Sequence, residues 1–312
     1  MTLAEAEQRT SGDTGLEQRV VRYRDLVPCL NAFVDTRTPG SDRKENFTII
    51  GPGVSENPDQ HVHIAEAHGF NIGGARQPPG CTNSQHSHDT AEVFVVHSGR
   101  WRFDFGEHGD DARIEAGPGD LVSFPTHAFR GFRNIGDDTG FLWSVLGGDD
   151  PGRVTWAPSV FAMAKDYGLV LLANGALVDT AAGQAIPADV PPMPVTSPET
   201  IARLRVMTSA DEPEVIARAA DMAAAGETTV IGKGGLLPPA DGFTVSRIAF
   251  AAGDERRGGR EVLFVQAGRL DVETRLGSTR LDPGDTITVP NGADPIYRSD
   301  AGAIVFVVRP TG

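Results

Sequence analysis

The feature that most constrains the fold is an internal repeat of short apolar runs. Residues Glu92–Arg100 read E-V-F-V-V-H-S-G-R, and residues Glu261–Arg269 read E-V-L-F-V-Q-A-G-R. A second pair of segments follows the same order: Gly117–Pro125 and Asp282–Pro290 share the run Pro-Gly-Asp and end in proline. The chain has 312 residues, which is enough for two copies of one β-rich unit, each with its own core.

Short Val-, Ile- and Phe-rich runs bounded by turn residues recur in both halves of the chain, and they predict β-strands. The 37 glycines and 22 prolines are spread along the sequence, which is typical of a turn-rich β protein. We therefore predict an all-β sandwich or barrel in each half. The predicted strands are Thr48–Ile50, His68–Ala75, Glu92–Val96, Trp101–Phe105, Leu121–Phe124, Phe141–Leu146, Phe243–Phe250, Glu261–Val265, Leu270–Thr274, Thr286–Val289 and Ala303–Val308.

The segment between the two β regions has a different character. Pro158–Lys165 is predicted to form a short helix, Ile186–Pro198 contains five prolines and is typical of a linker, and the Ala-rich run Glu212–Ala225 predicts a second helix. We predict four parts: an N-terminal arm with edge strands, a first barrel, a partly helical linker and a second barrel, over residues 1–60, 61–150, 151–227 and 228–312.

Charge and cysteine content narrow the choice of partners and location. The chain has 42 acidic and 28 basic residues, a formal charge of -14, which argues against binding to nucleic acid or to an anionic membrane. No run approaches the roughly 20 apolar residues of a membrane helix, and the polar start lacks the apolar region of a secretory signal. The two cysteines, Cys29 and Cys81, are too few for a disulfide framework. We therefore predict a cytoplasmic protein without nucleic-acid or membrane partners.

Three side chains that can bind a metal lie within seven residues of one another. His86, His88 and Glu92 stand between Gly80 and Gly99, on a stretch that is predicted to be extended. Residues two apart on a strand point to the same face, and Glu92 shares that face unless a bulge intervenes. Two imidazoles and one carboxylate with open coordination positions are typical of a divalent first-row metal, and of non-haem Fe(II) oxygenases in particular.

This spacing resembles the first motif of the cupin superfamily: glycine, five residues, His-x-His, three or four residues, glutamate, six residues, glycine. Gly119, Pro125 and Asn134 resemble parts of the second cupin motif. The resemblance covers about residues 80–150 and 245–310. It implies a double-stranded β-helix, or jelly-roll barrel, in each segment, and therefore a bicupin.

Two residues depart from the second motif. His127 stands where the family has glycine, and Arg130 stands where the family has a metal-binding histidine. Arginine stays protonated and has no lone pair for a metal, so Arg130 is not a ligand. Either His127 supplies a third imidazole from a shifted loop, or only His86, His88 and Glu92 hold the metal and Arg130 faces the open positions. The family register favours the second alternative; a site too weak to hold metal is a third.

The second repeat offers no histidine at the corresponding positions, which hold Glu255, Arg257, Glu261 and Pro295. We therefore expect one metal, in the first barrel only. That layout is similar to ring-cleaving dioxygenases of the gentisate type, whereas oxalate decarboxylases usually keep ligands in both barrels.

The resemblance implies a metal-dependent dioxygenase, with Fe(II) favoured, that acts on a small anionic or phenolic organic substrate. In this hypothesis Arg130 is the catalytic residue that orients an anionic group or stabilises an oxyanion. One alternative is an isomerase, lyase or hydrolase that uses Zn, Mn or Ni as a Lewis acid. Another is a non-enzymatic module that binds a small molecule. Cupins often pair through edge strands, so we expect a homo-oligomer, most simply a dimer.

Overall fold

The computed structural model describes residues 15–311. The strands in chain order, β1 to β24, are Val20–Val21, Glu45–Ile50, Val62–Ile64, Phe70–Gln77, Thr82–His88, Glu92–Ser98, Trp101–Phe105, Ala112–Ala116, Leu121–Phe124, Arg130–Asn134, Gly140–Gly147, Val154–Trp156, Leu169–Leu171, Leu177–Asp179, Ile216–Ala217, Gly226–Ile231, Phe243–Phe250, Asp254–Arg257, Glu261–Gly268, Leu270–Thr274, Gly277–Leu281, Thr286–Val289, Ile296–Ser299 and Ala303–Pro310. The helices α1 to α3 are Pro158–Asp166, Pro198–Ile201 and Glu212–Val215. Short 3-10 turns cover Leu16–Arg19, Tyr23–Asp25, Ser209–Asp211 and Ala219–Asp221.

The described chain divides into two compact units. The N-terminal unit contains Leu26–Met222, Thr229–Thr244 and residues 310–311, and the C-terminal unit contains residues 15–25, Ala223–Thr228 and Val245–Arg309. These units differ from the predicted domain limits. The segment expected to be a linker belongs to the N-terminal unit, because it packs its own apolar side chains onto that unit. Part of the expected N-terminal arm belongs to the C-terminal unit, where β1 pairs with β22.

Two antiparallel sheets form the barrel of the N-terminal unit. The larger sheet has the order β15-β9-β6-β11-β4-β2-β3, in which only β2 and β3 pair in parallel, and the smaller has the order β12-β5-β10-β7-β8. Their inner faces meet through aromatic rings: Phe94 of β6 lies 6.1 Å from Phe103 of β7 and 5.2 Å from Phe132 of β10, measured between ring centroids. This core confirms the predicted jelly-roll barrel.

The smaller sheet shows the alternation that the sequence predicts. Along β7, Trp101, Phe103 and Phe105 are fully buried, whereas Arg102 and Asp104 between them are partly exposed. The alternation places apolar side chains in the core and polar ones on the outer face, as expected for a sheet with one face in water.

The segment after the first barrel adds a second core against it. Trp156, Val160 and Leu169 pack with Val34 and Phe129 of the barrel unit. The predicted helix over Pro158–Lys165 is confirmed as α1, since proline begins it in the first turn.

The predicted helix over Glu212–Ala225 is wrong beyond its first turn. Helix α3 ends at Val215, and the next residues form strand β15, in which Ile216 pairs with Val122 and Ala217 with Leu121 at the edge of the larger sheet. Pairing with a sheet edge and burial of Ile216 override the helical preference of the alanines that follow.

The C-terminal unit repeats the two-sheet barrel. One sheet has the order β1-β22-β19-β24-β17-β16, and the other has the order β18-β23-β20-β21. Strand β19 begins at Glu261, as β6 begins at Glu92, so the repeat in the sequence corresponds to a repeat in the fold. The all-β class with two jelly-roll barrels is therefore confirmed.

Candidate metal centre

Three buried side chains converge on the inner face of the first barrel. His86 and His88 lie on β5, and Glu92 begins β6. One ligand-type atom from each lies within 4.8 Å of the others, and all three residues are buried. The structure therefore brings these three residues together. Alternation along β5 accounts for the two histidines, whereas Glu92 comes from the other sheet after a short loop at residues 89–91, and not from one continuous strand as the sequence suggested.

The hydrogen bonds of the imidazoles leave a nitrogen of each ring available. His86 Nδ1 lies 2.7 Å from the backbone oxygen of Ser84 and donates to it, so that its Nε2 carries the lone pair. His88 Nε2 lies 3.7 Å from Glu92 Oε1, and His88 Nδ1 is buried with no hydrogen-bond partner among residues 15–311. An imidazole fixed by a backbone carbonyl is the usual arrangement of a metal-binding histidine.

Burial also keeps both imidazoles in the form that binds metals. It lowers the pKa of His86 to about 3, with a further contribution from the positive charge of Arg130, and it lowers the pKa of His88 well below its usual value for the same two reasons. Both rings are therefore neutral at neutral pH, as metal ligation requires. The three residues fit a divalent metal ion.

Arg130 occupies the position next to the cluster. It begins β10 and is the direct partner of His86 across the β5–β10 pair. Its guanidinium Nη2 donates a hydrogen bond to Glu92 Oε2, its Nη1 lies 3.4 Å from the backbone oxygen of His86, and its Cζ lies 5.4 Å from the centre of the Phe124 ring. The fully buried guanidinium is thus directed at a carboxylate of the cluster.

His127 lies apart from the cluster. Its residue adopts a left-handed conformation with φ 57°, and its side chain is 55% exposed, with Nδ1 3.5 Å from Asp89 Oδ1. It is not among the three residues whose ligand atoms converge. The alternative in which His127 supplies a third imidazole has no support in this geometry, because the turn before β10 points the ring toward solvent.

A cavity of about 70 Å³ lies against the cluster. Most of its lining is apolar, and among residues 15–311 no lysine or arginine lines it, Arg130 included. The predicted role of Arg130, to orient an anionic substrate, thus stays a prediction, since its guanidinium faces Glu92 instead. The lining side chains include Phe33, Phe47, Ile72, Phe94, Phe132, Leu146, Val154 and Trp156, and the polar Asn46, Thr48, Asn83 and Ser144.

A buried ion pair supports the strand that carries the histidines. Lys44 and Asp35 pair with both side chains fully buried. Lys44 Nζ also donates to Asn83 Oδ1 at 2.9 Å, and Asp35 Oδ2 accepts from the backbone nitrogen of Ser84 at 3.0 Å. The same Ser84 accepts the hydrogen bond from His86. Sequence analysis missed this pair, because no spacing links residues 35 and 44 to the His-x-His motif.

Glu56 is a second buried acid near the cluster that the sequence did not reveal. Its two carboxyl oxygens accept hydrogen bonds from Trp156 Nε1 and from the backbone nitrogen of Val34, each at 2.6 Å. Burial nevertheless dominates and raises the pKa of Glu56 to about 8. The Trp156 ring lies 5.3 Å from the His86 ring, between Glu56 and the cluster.

Glu56 predicts a stability that falls as pH rises. Its pKa is 4.5 in the unfolded chain and about 8 in the folded protein, so between these values the folded state binds the additional proton. The free energy of unfolding should then fall by about 1.4 kcal/mol per pH unit in this window. Urea unfolding between pH 5.5 and 7, where the folded state keeps its proton and the unfolded state does not, measures the slope, and Glu56→Gln should remove it. An unchanged slope in Glu56→Gln would contradict the raised pKa.

In the second barrel, the residue that corresponds to Glu92 is hydrogen-bonded to side chains of its own barrel. Glu261, the counterpart of Glu92, accepts hydrogen bonds from the Tyr297 hydroxyl at 2.6 Å and from Arg309 Nε at 2.8 Å. No histidine is near it in sequence. Among the described residues, the only cluster that could hold a metal is the one in the first barrel.

Comparison with known proteins agrees with the fold. Residues 75–145 match the family model of the cupin domain. No curated protein sequence matches the chain. Solved structures similar to it include an oxalate decarboxylase from Lactobacillus farciminis in complex with formate, with 14% identity over 94% of this chain and 86% of that one and a TM-score of 0.58.

Two further structures show the same likeness. A pirin from Escherichia coli in complex with nickel(II) has 8% identity over 94% of this chain and 99% of that one, with a TM-score of 0.54. A mutant of Bacillus subtilis oxalate decarboxylase has 11% identity over 93% and 76%, with a TM-score of 0.55. At these identities the likeness concerns the fold.

The first barrel contains a segment that matches the cupin domain, and the fold of the chain is similar to that of solved cupin structures. The chain has the layout of a bicupin, with a candidate metal site in its first barrel. The narrower likeness to gentisate-type dioxygenases stays a prediction, as do the dimer and the cytoplasmic location. None of the described helices has the length and apolar character that a membrane span needs.

Proposed function

We propose that this bicupin is a metal-dependent enzyme, and that it is an Fe(II) dioxygenase acting on a small anionic or phenolic organic substrate. The observation that supports the proposal is the convergence of two neutral imidazoles and one carboxylate at the wall of a cavity. This donor set, with positions left open, is typical of non-haem iron oxygenases.

In the proposed enzyme His86, His88 and Glu92 hold the metal. Bound Fe(II) would supply the one-electron chemistry that O2 activation needs. The protein's own contribution is positional: Ser84 fixes the ring of His86, Arg130 fixes Glu92, and the apolar lining of the cavity limits the access of water.

Metal analysis of the purified protein tests this proposal. We expect about one equivalent of iron in the wild type, and less than roughly a tenth of that in His88→Ala and in His86→Ala, because each loses one of only three ligands. His127→Ala is the matched control and should keep its metal. An equal loss of metal in His127→Ala would restore the alternative in which that residue is a ligand.

The reaction class follows from a second measurement. Consumption of O2 that depends on Fe(II) and on a phenolic or small organic acid supports the dioxygenase. Full turnover under anaerobic conditions would contradict it. Zinc, manganese or nickel in the protein with no use of O2 would instead support an isomerase, lyase or hydrolase. Ligand type alone does not select among these metals.

The hydrogen bond from Arg130 to Glu92 favours one non-enzymatic candidate, a small-molecule-binding module. The guanidinium neutralises the carboxylate, so the cluster without metal has no net negative charge to attract a cation. If the wild type holds no metal even after reconstitution, and His86→Ala and His88→Ala leave ligand affinities unchanged, this candidate replaces the enzyme.

A further inference from the structure

The cavity wall contains a buried amide that has no partner. Asn46 lies on β2, is 9% exposed and lines the cavity. Its Nδ2 is buried, and its side chain makes no hydrogen bond within residues 15–311. An unsatisfied buried donor is costly, and in a native protein it calls for an explanation such as a bound ligand.

A second amide lines the same cavity. Asn83 also lines the cavity, and its Oδ1 accepts a hydrogen bond from Lys44 Nζ at 2.9 Å. Because an ammonium group can only donate, this contact fixes which end of the amide is oxygen. The Nδ2 group of Asn83 is left without a hydrogen bond to any described residue. The contact with Lys44 thus leaves the Nδ2 group of Asn83 as a donor that a ligand can use.

Two neutral donors and a metal make a site for an oxygen-bearing anion. Among residues 15–311, Glu92 is the only charged side chain in the cavity wall, so positive charge for an anion must come from the metal. Neutral amide donors then set the orientation of its oxygen atoms, as they do in sites that stabilise oxyanions.

The size of the cavity restricts that anion. An engineered protein cavity of roughly 150 Å³ holds benzene. The cavity here has about 70 Å³, about half of that volume. This volume favours an acyclic acid of a few heavy atoms over an aromatic ring.

We propose that the cavity binds a small acyclic carboxylate, and that Asn46 and Asn83 recognise its oxygen atoms. The proposal rests on the proposed function, since the metal supplies the charge. Within the wider class of anionic and phenolic compounds, it selects small acyclic carboxylates as the substrate class. It also assigns recognition of the carboxylate oxygens to the two amides.

Ligand-observed NMR with acetate tests the proposal on the zinc-loaded and on the metal-free protein, with benzoate as the size control. We expect acetate to bind the zinc form and benzoate to bind at least about 10-fold more weakly. Asn46→Leu should weaken acetate binding about 10-fold or more, the effect of losing a donor to a charged group. Its zinc content should not change.

Two variants separate recognition from folding. Because Asn46 has no partner to lose, Asn46→Leu should leave the melting temperature unchanged or raised. Asn83→Asp keeps an acceptor for Lys44 and exchanges the donor for an anionic oxygen, so it should weaken acetate more than Asn46→Leu does, through the lost donor and through charge repulsion. Asn174→Leu, at an exposed turn away from the cavity, is the matched control and should bind acetate normally. A lower melting temperature with unchanged acetate affinity in Asn46→Leu would overturn the proposal.

The outcomes also distinguish the two proposals. Zinc binding without acetate binding overturns the carboxylate site and leaves the metal-dependent enzyme standing. Acetate binding that needs Asn46 in a protein that binds no zinc overturns the metal-dependent enzyme and leaves recognition by the amides standing, without the charge of a metal. Neither zinc nor acetate binding overturns both.

Discussion

Arg130→His should bind a divalent metal at least about 100-fold more tightly than the wild type. Residue 130 is the direct strand partner of His86, so an imidazole there lies beside the cluster and adds a third nitrogen ligand. The change also removes a buried positive charge from the immediate surroundings of a dication. Competition with a chromophoric chelator, using Zn(II) and Mn(II), measures the affinity.

Arg130→Met separates the two contributions to this effect. It removes the charge and frees Glu92 without adding a ligand, so its metal affinity should lie between those of the wild type and of Arg130→His. Without metal, both variants leave Glu92 buried and unpaired, which typically costs about 3–5 kcal/mol. Added metal should therefore raise their melting temperatures more than that of the wild type.

A lower metal affinity in both variants would contradict this expectation. It would mean that the guanidinium of Arg130 is needed to hold Glu92 in its ligating position, and that the hydrogen bond between them outweighs the repulsion of the metal. The wild type would then have the better site because of its arginine.

The sequence predicts that the two histidines of the candidate cluster share a face, because that part of the prediction is local. His86 and His88 are two residues apart on one strand, so the period of a strand is enough to place them on one face. Glu92 begins the next strand in the other sheet, and it reaches the histidines because the inner faces of the two sheets meet. The repeat likewise predicts that Glu261 begins a strand of a second barrel, and it does.

The surroundings of the cluster could not be predicted in the same way. Asp35, Lys44, Asn46 and Glu56 come from a segment that the sequence suggested was only an arm with edge strands. They reach the site because β2 pairs with β4 and the preceding turns fold over the barrel, which is a long-range arrangement. Their only signal in the sequence is a charged or polar side chain, in a loop or, for Asn46, on a strand, and nothing local marks it as buried.

The contact that the Arg130 side chain makes could not be predicted from the sequence either. The register with the cupin motif places residue 130 beside the candidate metal ligands, and in the structure it is the direct strand partner of His86. Which neighbour the guanidinium contacts depends on where Glu92 and the cavity lie in space. The carboxylate of Glu92 is within hydrogen-bond reach and buried, so the arginine pairs with it.

The buried ion pair gives the second large expected effect: Lys44→Met should destabilise the protein by about 3–5 kcal/mol at pH 7, since it leaves an unpaired carboxylate in the interior. Asp35 is fully buried. Burial alone would raise the pKa of Asp35, but the ion pair with Lys44 and the hydrogen bonds from Ser84 hold that pKa below its usual value. Urea unfolding measures the loss, and the exposed pair Arg280–Asp271 offers a control, because Arg280→Met should have little effect.

The pH dependence of this loss identifies its cause. In the wild type the lowered pKa of Asp35 makes its stabilising contribution present above the unfolded value of 3.8, and this contribution is lost as pH falls through the folded value. In Lys44→Met burial acts unopposed by the ammonium and raises the pKa of Asp35. The variant should then lose stability as pH rises above 3.8, so the difference from the wild type is larger at pH 7 than at pH 5. If the difference in the free energy of unfolding between wild type and variant does not change with pH, the lost packing of the lysine side chain destabilises the variant, and not the unpaired charge of Asp35.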